Sequence, residues 1–338
     1  MKYAKLNIAN PVWDTGQIFM VLRAVHYLAE FHQVTELRLN CTAPAQVQND
    51  WQKSILRKKR MMNIVFDSAT DDVPAFCFPD YKIQLNGKET VTLGIPEIPE
   101  LTDFHVHTRL AYCSENMDVA KALELERLSG VKHVNFSEHS GQLYCIEHTY
   151  WNNLFHWSKR NAAEERTAEY RQLAQGNSMF GLELDVDEDA VVSDIQGIGG
   201  FRLGAVHFLG SELSFEEKKC DFMRRLDGLL GYGIDILAHP FRVFSKGGMP
   251  IPEDLFEPVA EKLVRADVAA EINFHTNRPQ PEFVRLLLKK GGKISFGTDS
   301  HNLYEAGYLK PHYEFCKQLD IAGKLDSILF SAEGKKKR

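Results

Sequence analysis

Residues 103–108 read Asp-Phe-His-Val-His-Thr, and they close an apolar run that starts at Leu101. A short apolar run of this length is typical of a buried strand. Side chains two apart on a strand point to the same side, so His105 and His107 are predicted to face one site together. Neutral imidazole is a ligand for zinc, manganese or iron. The stretch therefore predicts a strand that carries part of a metal site at its end.

Apolar strands and following helices alternate along the chain after residue 100. Roughly thirty residues separate successive strands, which is the length of one βαβ unit. This alternation implies parallel strands joined by right-handed crossovers, and we predict an α/β fold with a closed or nearly closed (β/α) barrel at residues 99–338. The seven strands are predicted at Leu101–His107, His133–Ser137, Phe180–Leu184, Phe201–His207, Ile234–His239, Val268–Asn273 and Lys293–Thr298. Helices are predicted at Met117–Leu128, Trp157–Leu173, Phe215–Leu230, Pro252–Val264 and Pro281–Lys290.

Residues 1–98 fall outside this alternation and are predicted to form a small α/β extension. Asn86-Gly87 is a hairpin-turn signal within the strand-like stretch Tyr81–Leu93. Further strands are predicted at Leu6–Ala9, Val34–Leu39 and Ile64–Phe66, with helices at Gly16–Phe31 and Pro44–Met61. A stabilising or dimerising role is favoured for the extension over substrate gating or ligand sensing.

Histidines and acids stand at the ends of the predicted barrel strands. They are Glu138-His139, Glu183-Leu184-Asp185, His207, His239, Asp299 and His301, in addition to His105 and His107. Active sites of (β/α) barrels lie at the carboxyl ends of the strands. A single histidine at such a place means little, but its recurrence from strand to strand predicts a multinuclear metal hydrolase.

Seven short motifs carry a resemblance to a known family. They are DFHVHT at 103–108, SEHS at 137–140, GLELD at 181–185, GAVHFL at 204–209, AHPFR at 238–242, EIN at 271–273 and GTDSH at 297–301. Together, and in this order, they resemble the PHP (polymerase and histidinol phosphatase) superfamily of metal-dependent phosphoesterases, and its histidinol-phosphatase branch most. The resemblance covers residues 101 to about 305 and implies a distorted (β/α)7 barrel with up to three metal ions.

The resemblance also implies which residues hold each ion. His105, His107, Glu183 and Asp299 would hold the first, and Glu183 would bridge to a second held by His207 and His239. His139 and His301 would hold the third. The family usually adds a His or Asp ligand shortly after the two histidines, whereas this chain has Cys113 there. This difference leaves three alternatives: Cys113 ligates the ion, Glu115 ligates it instead, or the third site is weak. The expected cofactors are two or three divalent ions of zinc, manganese or iron.

Other polar residues are expected to support the ligands and to bind substrate. Asp103, Glu138 and Asp185 are candidates for orienting the ligand imidazoles, and Glu271 and Asn273 for a supporting or substrate-binding role. Guanidinium groups bind phosphate oxygens in pairs, which makes Arg242, Arg278 and Arg109 the candidates for substrate binding. His275, just beyond Asn273, is a candidate proton donor.

These residues favour metal-dependent hydrolysis of a small phosphate monoester, in which the ions lower the pKa of the attacking water. The expected partner is a small phosphorylated metabolite. One alternative is a phosphodiesterase or nuclease of the same superfamily, which the basic run Lys58-Lys59-Arg60 would support. A metal-dependent amidohydrolase is a second, although no lysine fits the carbamylated position. A non-catalytic metal-binding regulatory protein is a third.

Composition narrows the class of protein further. The 338 residues carry a net charge of −6, which argues against a nucleic-acid partner. The 6 cysteines are scattered and are typical of reduced thiols in a cytoplasmic protein. The sequence contains no apolar run long enough to span a membrane, and the start lacks the apolar core of a signal peptide. We therefore expect a cytoplasmic protein with no membrane partner.

Overall fold

The computed structural model describes residues 2–7, 23–25, 27–29, 31–40, 63–67, 82–86, 88–111, 113, 114, 117–141 and 163–331. The predicted helix Pro44–Met61, the basic run Lys58-Lys59-Arg60 and Glu115 lie outside these residues. The chain divides into two compact units. The first contains Met1–Glu97 with Leu128–Gly130, and the second contains Ile98–Arg127 with Val131–Arg338.

The first unit contains a five-stranded mixed sheet. Its strands are β1 (Tyr3–Asn7), β2 (Glu36–Asn40), β3 (Asn63–Asp67), β4 (Lys82–Leu85) and β5 (Glu89–Thr92). They lie in the order β3-β2-β1-β4-β5, with β1, β2 and β3 parallel, β4 antiparallel to β1, and β5 antiparallel to β4 in a hairpin. Residues 23–25, 27–29 and 31–32 are helical, and Ala24, Val25 and Leu28 are buried. The unit is α/β in character, with the hairpin where Asn86-Gly87 predicts it.

The second unit contains seven parallel strands that follow one another around a barrel. They are β6 (Thr102–Val106), β7 (His133–His139), β8 (Phe180–Asp185), β9 (Arg202–Ala205), β10 (Ile236–Leu237), β11 (Ala269–Ile272) and β12 (Ile294–Phe296). Each pairs in parallel with the next along the chain. The ends of this row meet just beyond β12, where Asp299 N donates to His105 O at 2.7 Å and His107 N to Ser300 O at 3.1 Å. The sheet is thus a nearly closed (β/α)7 barrel, as predicted.

Helices lie between the barrel strands and after the last of them. They are α1 (Val119–Leu128), α2 (Ala163–Ala174), α3 (Phe215–Tyr232), α4 (Arg242–Lys246), α5 (Phe256–Ala266), α6 (Pro281–Lys289), α7 (Lys310–Gln318) and α8 (Leu325–Ile328). Local sequence sets their ends. Ser214 and Glu217 form a reciprocal capping box at the start of α3, and Gly233 ends that helix in the left-handed conformation. The short α4, which sequence periodicity did not predict, follows β10 directly.

Apolar side chains fill the barrel interior below the polar ends of its strands. Phe104, Leu203, Ala205, Ile236, Ala238 and Ala269 form one buried cluster, with Phe201 and Phe330 packed against it. The rings of Phe104 and Phe330 meet edge to face at 5.1 Å between centroids. This packed interior fixes the strands, so the residues that follow its apolar side chains are held at the carboxyl edge of the barrel. In the described part of the chain, no helix is long and apolar enough to cross a membrane.

Candidate metal centre

Within the part of the chain that the structure describes, the carboxyl edge of the barrel brings imidazoles and carboxylates into four overlapping groups. In each group the potential ligand atoms lie within 4.8 Å of one another. The groups are His105/His107/Asp299, Glu183/His207/His239, His107/His139/His301 and His139/Asp185/His207. The first three contain the residues that the family resemblance assigns to three ions. Clusters of His, Asp and Glu in this barrel could therefore hold metal ions.

Glu183 stands at the middle of these groups. Its Oε1 lies 3.1 Å from His207 Nε2 and 2.8 Å from His239 Nε2. Its Oε2 lies 2.6 Å from His139 Nδ1, 3.4 Å from His105 Nε2 and 3.7 Å from His107 Nε2. The two oxygens of one carboxylate thus serve two different sets of imidazoles. This is the placement expected of a carboxylate that bridges two cations.

A second set of carboxylates orients the imidazoles from behind. Glu271 Oε1 lies 2.8 Å from His105 Nδ1, Glu138 Oε1 lies 3.2 Å from His107 Nδ1, and Asp185 Oδ1 lies 2.7 Å from His207 Nδ1. Each carboxylate accepts from one ring nitrogen and leaves Nε2 of the same ring facing the centre. Carboxylates in this position fix the tautomer of a ligand histidine and raise its basicity.

Backbone and side-chain hydrogen bonds hold two of the orienting carboxylates in place. Glu138 Oε2 accepts from Thr108 N at 3.1 Å and from the Thr108 hydroxyl. Glu271 Oε2 accepts from His239 N at 2.7 Å and from Asn273 Nδ2 at 3.1 Å. Glu271 therefore connects the ring of His105 with the backbone of His239. Asn273 also donates to Asp299 Oδ2 at 3.2 Å, which gives it the supporting role that its position predicts.

Asp103 has a different role from the one predicted. Among the described residues it does not contact an imidazole ring. Its Oδ1 accepts from the backbone N of His105 at 3.2 Å and of Thr298 at 3.0 Å, and its Oδ2 accepts from Thr298 Oγ1 at 2.6 Å. Asp103 thus joins β6 to the end of β12 and positions ligand residues through the backbone.

Two of the candidate ligands have unusual backbone conformations. His239 has φ 32° and Asp299 has φ 53°, in the left-handed region that residues other than glycine adopt infrequently. Such conformations are concentrated at functional sites, because the surrounding structure has to hold them. Here Glu271 binds the backbone N of His239, and the His105 carbonyl binds the backbone N of Asp299.

The electrostatics of the centre favour charged carboxylates. Burial by itself would raise the pKa of Glu183, but His139, His105 and His207 hold it well below its usual range. Burial would likewise raise the pKa of Asp299, and His105, Arg242 and a hydrogen bond from His107 hold it well below its usual range. Both carboxylates are therefore anionic at neutral pH, which is the state that binds a cation.

The imidazoles divide into two classes. Burial opposes the charged form of His107, yet hydrogen bonds with Asp299 and Glu138 raise its pKa to about 9. Burial also opposes the charged form of His105, and there the carboxylates of Glu271, Asp299 and Glu183 raise the pKa well above its usual value. For His239 burial lowers the pKa, and the neighbouring charge of Arg242 lowers it further. Burial and the charge of His107 act in the same way on His301. These shifts favour protonated His105 and His107, whose protons a bound cation would replace, and they favour the neutral, ligating form of His239 and His301.

The residues present fit divalent cations. His105 Nε2 and Glu183 Oε2 are buried and make no hydrogen bond within the described residues, although the two atoms face each other at 3.4 Å. A buried ring nitrogen and a buried anionic oxygen that no hydrogen bond satisfies are costly. A cation held between them would satisfy both, and the imidazole and carboxylate donors suit zinc, manganese or iron.

Arg242 is the predicted substrate-binding residue that reaches the centre. It is buried, and its Nη1 donates to Asp299 Oδ2 at 2.5 Å. Its Nη2 lies 2.6 Å from His239 Nε2, close enough for a hydrogen bond. The guanidinium thus contacts two of the candidate ligands. Sequence position placed Arg242 on the barrel edge, but its direct contacts with the candidate ligands follow only from the structure.

The other predicted residues lie further out. Arg109 is exposed and forms an ion pair with Glu169 on α2, and Arg278 is exposed on the loop after β11. Cys113 is a partly buried thiol, and among the described residues it belongs to none of the four groups. His275 lies at the edge of the centre, where its ring stacks on His301 at 4.5 Å between centroids and its Nδ1 lies 3.3 Å from Glu305 Oε1. Glu305, which sequence reasoning missed, also accepts from the backbone N of His301 at 3.1 Å.

Comparison with known proteins gives a distant structural match. A Listeria monocytogenes protein described as a "putative histidinol phosphatase" shares 14% sequence identity with this chain. The match covers 61% of this chain and 97% of that protein, with a TM-score of 0.43. A similarity this distant does not carry an activity over to this chain. No protein family and no curated protein matches the sequence.

Proposed function

We propose that this protein hydrolyses phosphate monoesters of small molecules with two or three divalent cations held at the carboxyl edge of the barrel. The placement of Glu183 carries the proposal. One of its oxygens lies among His207 and His239, and the other lies among His105, His107 and His139. A carboxylate shared in this way sets cations close enough together for one phosphate to contact both.

When bound, the cations neutralise phosphate oxygens and lower the pKa of the attacking water. The protein itself positions the phosphate. Arg242 is the leading candidate for this task because its guanidinium lies beside Asp299 and His239, and because a guanidinium binds two phosphate oxygens at once. Its contact with His239 Nε2 excludes ligation by that nitrogen, so Arg242 is expected to turn towards the substrate in the loaded centre. Arg278, on the loop after β11, is a second candidate.

His275 is the candidate proton donor to the leaving alkoxide. Glu305 contacts its Nδ1, and the ring of His301 stacks on its face. These two contacts fix the ring, so Nε2 is the nitrogen that can pass a proton. The side chain is 21% exposed, which permits exchange of that proton with solvent after turnover. A held ring beside the cation site supports this role, because a general acid has to lie within hydrogen-bond reach of the group that it protonates.

The test combines metal analysis with a substrate screen. We expect two or three ions per chain after reconstitution with manganese or zinc, and turnover of para-nitrophenyl phosphate but not of its bis-ester. His105→Ala and Asp299→Ala should each lose bound metal and turnover, because both residues are buried within one group of ligands. His133→Ala is the matched control. It is exposed, pairs with Glu100 at 2.5 Å at the start of β7, and should leave metal and turnover unchanged.

Each contrary result has a distinct meaning. Metal binding with cleavage of the bis-ester alone would replace the monoesterase with a phosphodiesterase. A reconstituted protein that holds no metal would remove the hydrolase proposal and leave a binding or regulatory protein. Turnover by His105→Ala in a chelator would contradict the proposed role of the centre.

A further inference from the structure

Lys246 stands one helical turn after Arg242 at the edge of the metal centre. Both residues belong to α4, and residues four apart on a helix lie on the same face. Arg242 uses this face to reach Asp299 and His239. Lys246 therefore extends from the face of α4 that looks onto the centre.

The electrostatic partners of Lys246 define its position more closely. They are Arg242, Asp299, Cys113 and Glu183. Arg242 follows β10, Asp299 follows β12, Cys113 follows β6 and Glu183 lies near the end of β8. The four residues therefore come from different sides of the barrel opening. These partners agree with the direction that the helix face gives to Lys246, namely towards the opening of the barrel.

Lys246 is accessible to solvent and also has protein atoms close to it. The side chain is exposed to solvent, yet burial by the atoms around it, and then the charge of Arg242, lower the pKa of its ammonium. Among the described residues Lys246 has no hydrogen-bond or ion-pair partner, in contrast to Lys219, Lys262 and Lys290, which pair with acids. Its charge is thus available to a ligand.

We propose that Lys246 binds a second anionic group of the substrate, so that the preferred phosphate monoester carries a carboxylate or another phosphate on its leaving group. This inference rests on the proposed function. The scissile phosphate belongs beside Arg242, and Lys246 lies about 5–6 Å further along the same helix face, a spacing that a leaving group of two or three carbons spans. An ammonium-bearing leaving group is disfavoured, since two like charges would meet at the opening.

The test compares two substrates that differ in one group. 3-Phosphoglycerate carries a carboxylate where glycerol 3-phosphate carries a neutral hydroxymethyl group. For the metal-loaded protein at low salt we expect kcat/KM to be about tenfold or more higher for 3-phosphoglycerate, the effect of one charge-assisted contact. Lys246→Gln should bring the ratio of the two values close to one, and Lys246→Arg should retain most of it. Lys289→Gln is the matched control, because Lys289 is exposed at the end of α6, towards the opposite edge of the barrel.

A binding measurement separates this inference from the proposed function. Calorimetric titration of the metal-loaded protein with the same two compounds reports the anion preference whether or not they are hydrolysed. Turnover of para-nitrophenyl phosphate reports the proposed function independently of Lys246. Equal binding of both compounds, an unchanged ratio in Lys246→Gln, or a preference for histidinol phosphate would overturn the inference while the hydrolase stands. A binding preference for 3-phosphoglycerate that Lys246→Gln removes would support the role of Lys246 even if the protein is not a monoesterase.

Discussion

Replacement of Gly297 by alanine should weaken metal binding without direct contact with a metal. Gly297 follows the last residue of β12, and a Cβ on it would lie 1.9 Å from Glu271 Oε1 and 2.7 Å from His105 Cβ. Real Cβ atoms do not approach other atoms more closely than 3.0 Å. The Glu271 carboxylate therefore has to retreat by about 1 Å, because neither the barrel backbone nor His105 can give way by that much.

The retreat removes the support of a ligand imidazole. Glu271 Oε1 lies 2.8 Å from His105 Nδ1, so a further 1 Å takes the pair beyond hydrogen-bond distance. A hydrogen bond to a charged group contributes roughly 1.5–3 kcal/mol. That is about a 10- to 150-fold change in a binding constant, and loss of a supporting carboxylate typically costs about 10- to 100-fold in metal affinity. We therefore expect Gly297→Ala to bind zinc or manganese roughly 10- to 100-fold more weakly.

Competition with a chromogenic chelator measures this change in affinity. Gly231→Ala is the matched control, because Gly231 lies inside α3 and a Cβ there meets nothing within 4 Å. Far-ultraviolet circular dichroism establishes that both variants are folded. If folded Gly297→Ala binds metal as tightly as the unsubstituted protein, then Glu271 does not support the ligand set and the reasoning is wrong.

Two further predictions concern stability. His312 is buried and donates from Nε2 to the Gly297 carbonyl at 3.0 Å, and burial lowers its pKa to about 4. The folded state therefore resists protonation of His312, whereas in the unfolded state the imidazole takes up a proton below about pH 6.5. When the pH falls from 7.5 to 5.0, the free energy of unfolding, measured with urea, should therefore decrease by about 2 kcal/mol more in the unsubstituted protein than in His312→Gln. Parallel pH profiles of the two proteins would contradict this prediction. Leu203 is fully buried in the barrel cluster, so Leu203→Ala should lower the free energy of unfolding by roughly 2–5 kcal/mol, and a loss below 1 kcal/mol would show that the interior is not packed as described.

The barrel could be predicted from the sequence because each strand is a short apolar run with a helix after it. All seven strands lie where the sequence predicts them, within a few residues at their ends. The largest difference is β10, which contains Ile236–Leu237 alone although Ile234–His239 is predicted. The chain leaves the sheet early there because His239 takes a left-handed backbone conformation and Phe241, with φ 66°, starts α4. Strand propensity does not register such a turn.

The convergence of the ligand groups could also be predicted, whereas their supporting contacts could not. Strand direction places His105 and His107 on one side, and the barrel brings Glu183 to them. The partner of each imidazole depends on tertiary contacts between strands far apart in sequence, as for Glu271 and His105. Asp103 shows the limit of the approach, because a strand acid looks the same in sequence whether it binds a ring or a backbone N–H. The position of Lys246 could be predicted once a helix is known to begin at Arg242, because a spacing of four residues places both side chains on one helix face.

The supporting carboxylates also link the proposed cation sites to each other. Glu271 contacts the ring of His105, which belongs to the first group, and the backbone of His239, which belongs to the second. Glu183 spans the same two groups with its two oxygens. An ion that draws His105 into place therefore also fixes Glu271, and Glu271 in turn holds the left-handed backbone of His239. Because filling one site prepares the other, we expect the first two ions to bind cooperatively in a calorimetric titration. Glu271→Gln should abolish that cooperativity but still bind metal. Two independent sites in the unsubstituted protein would show that the sites are not coupled through Glu271 and Glu183.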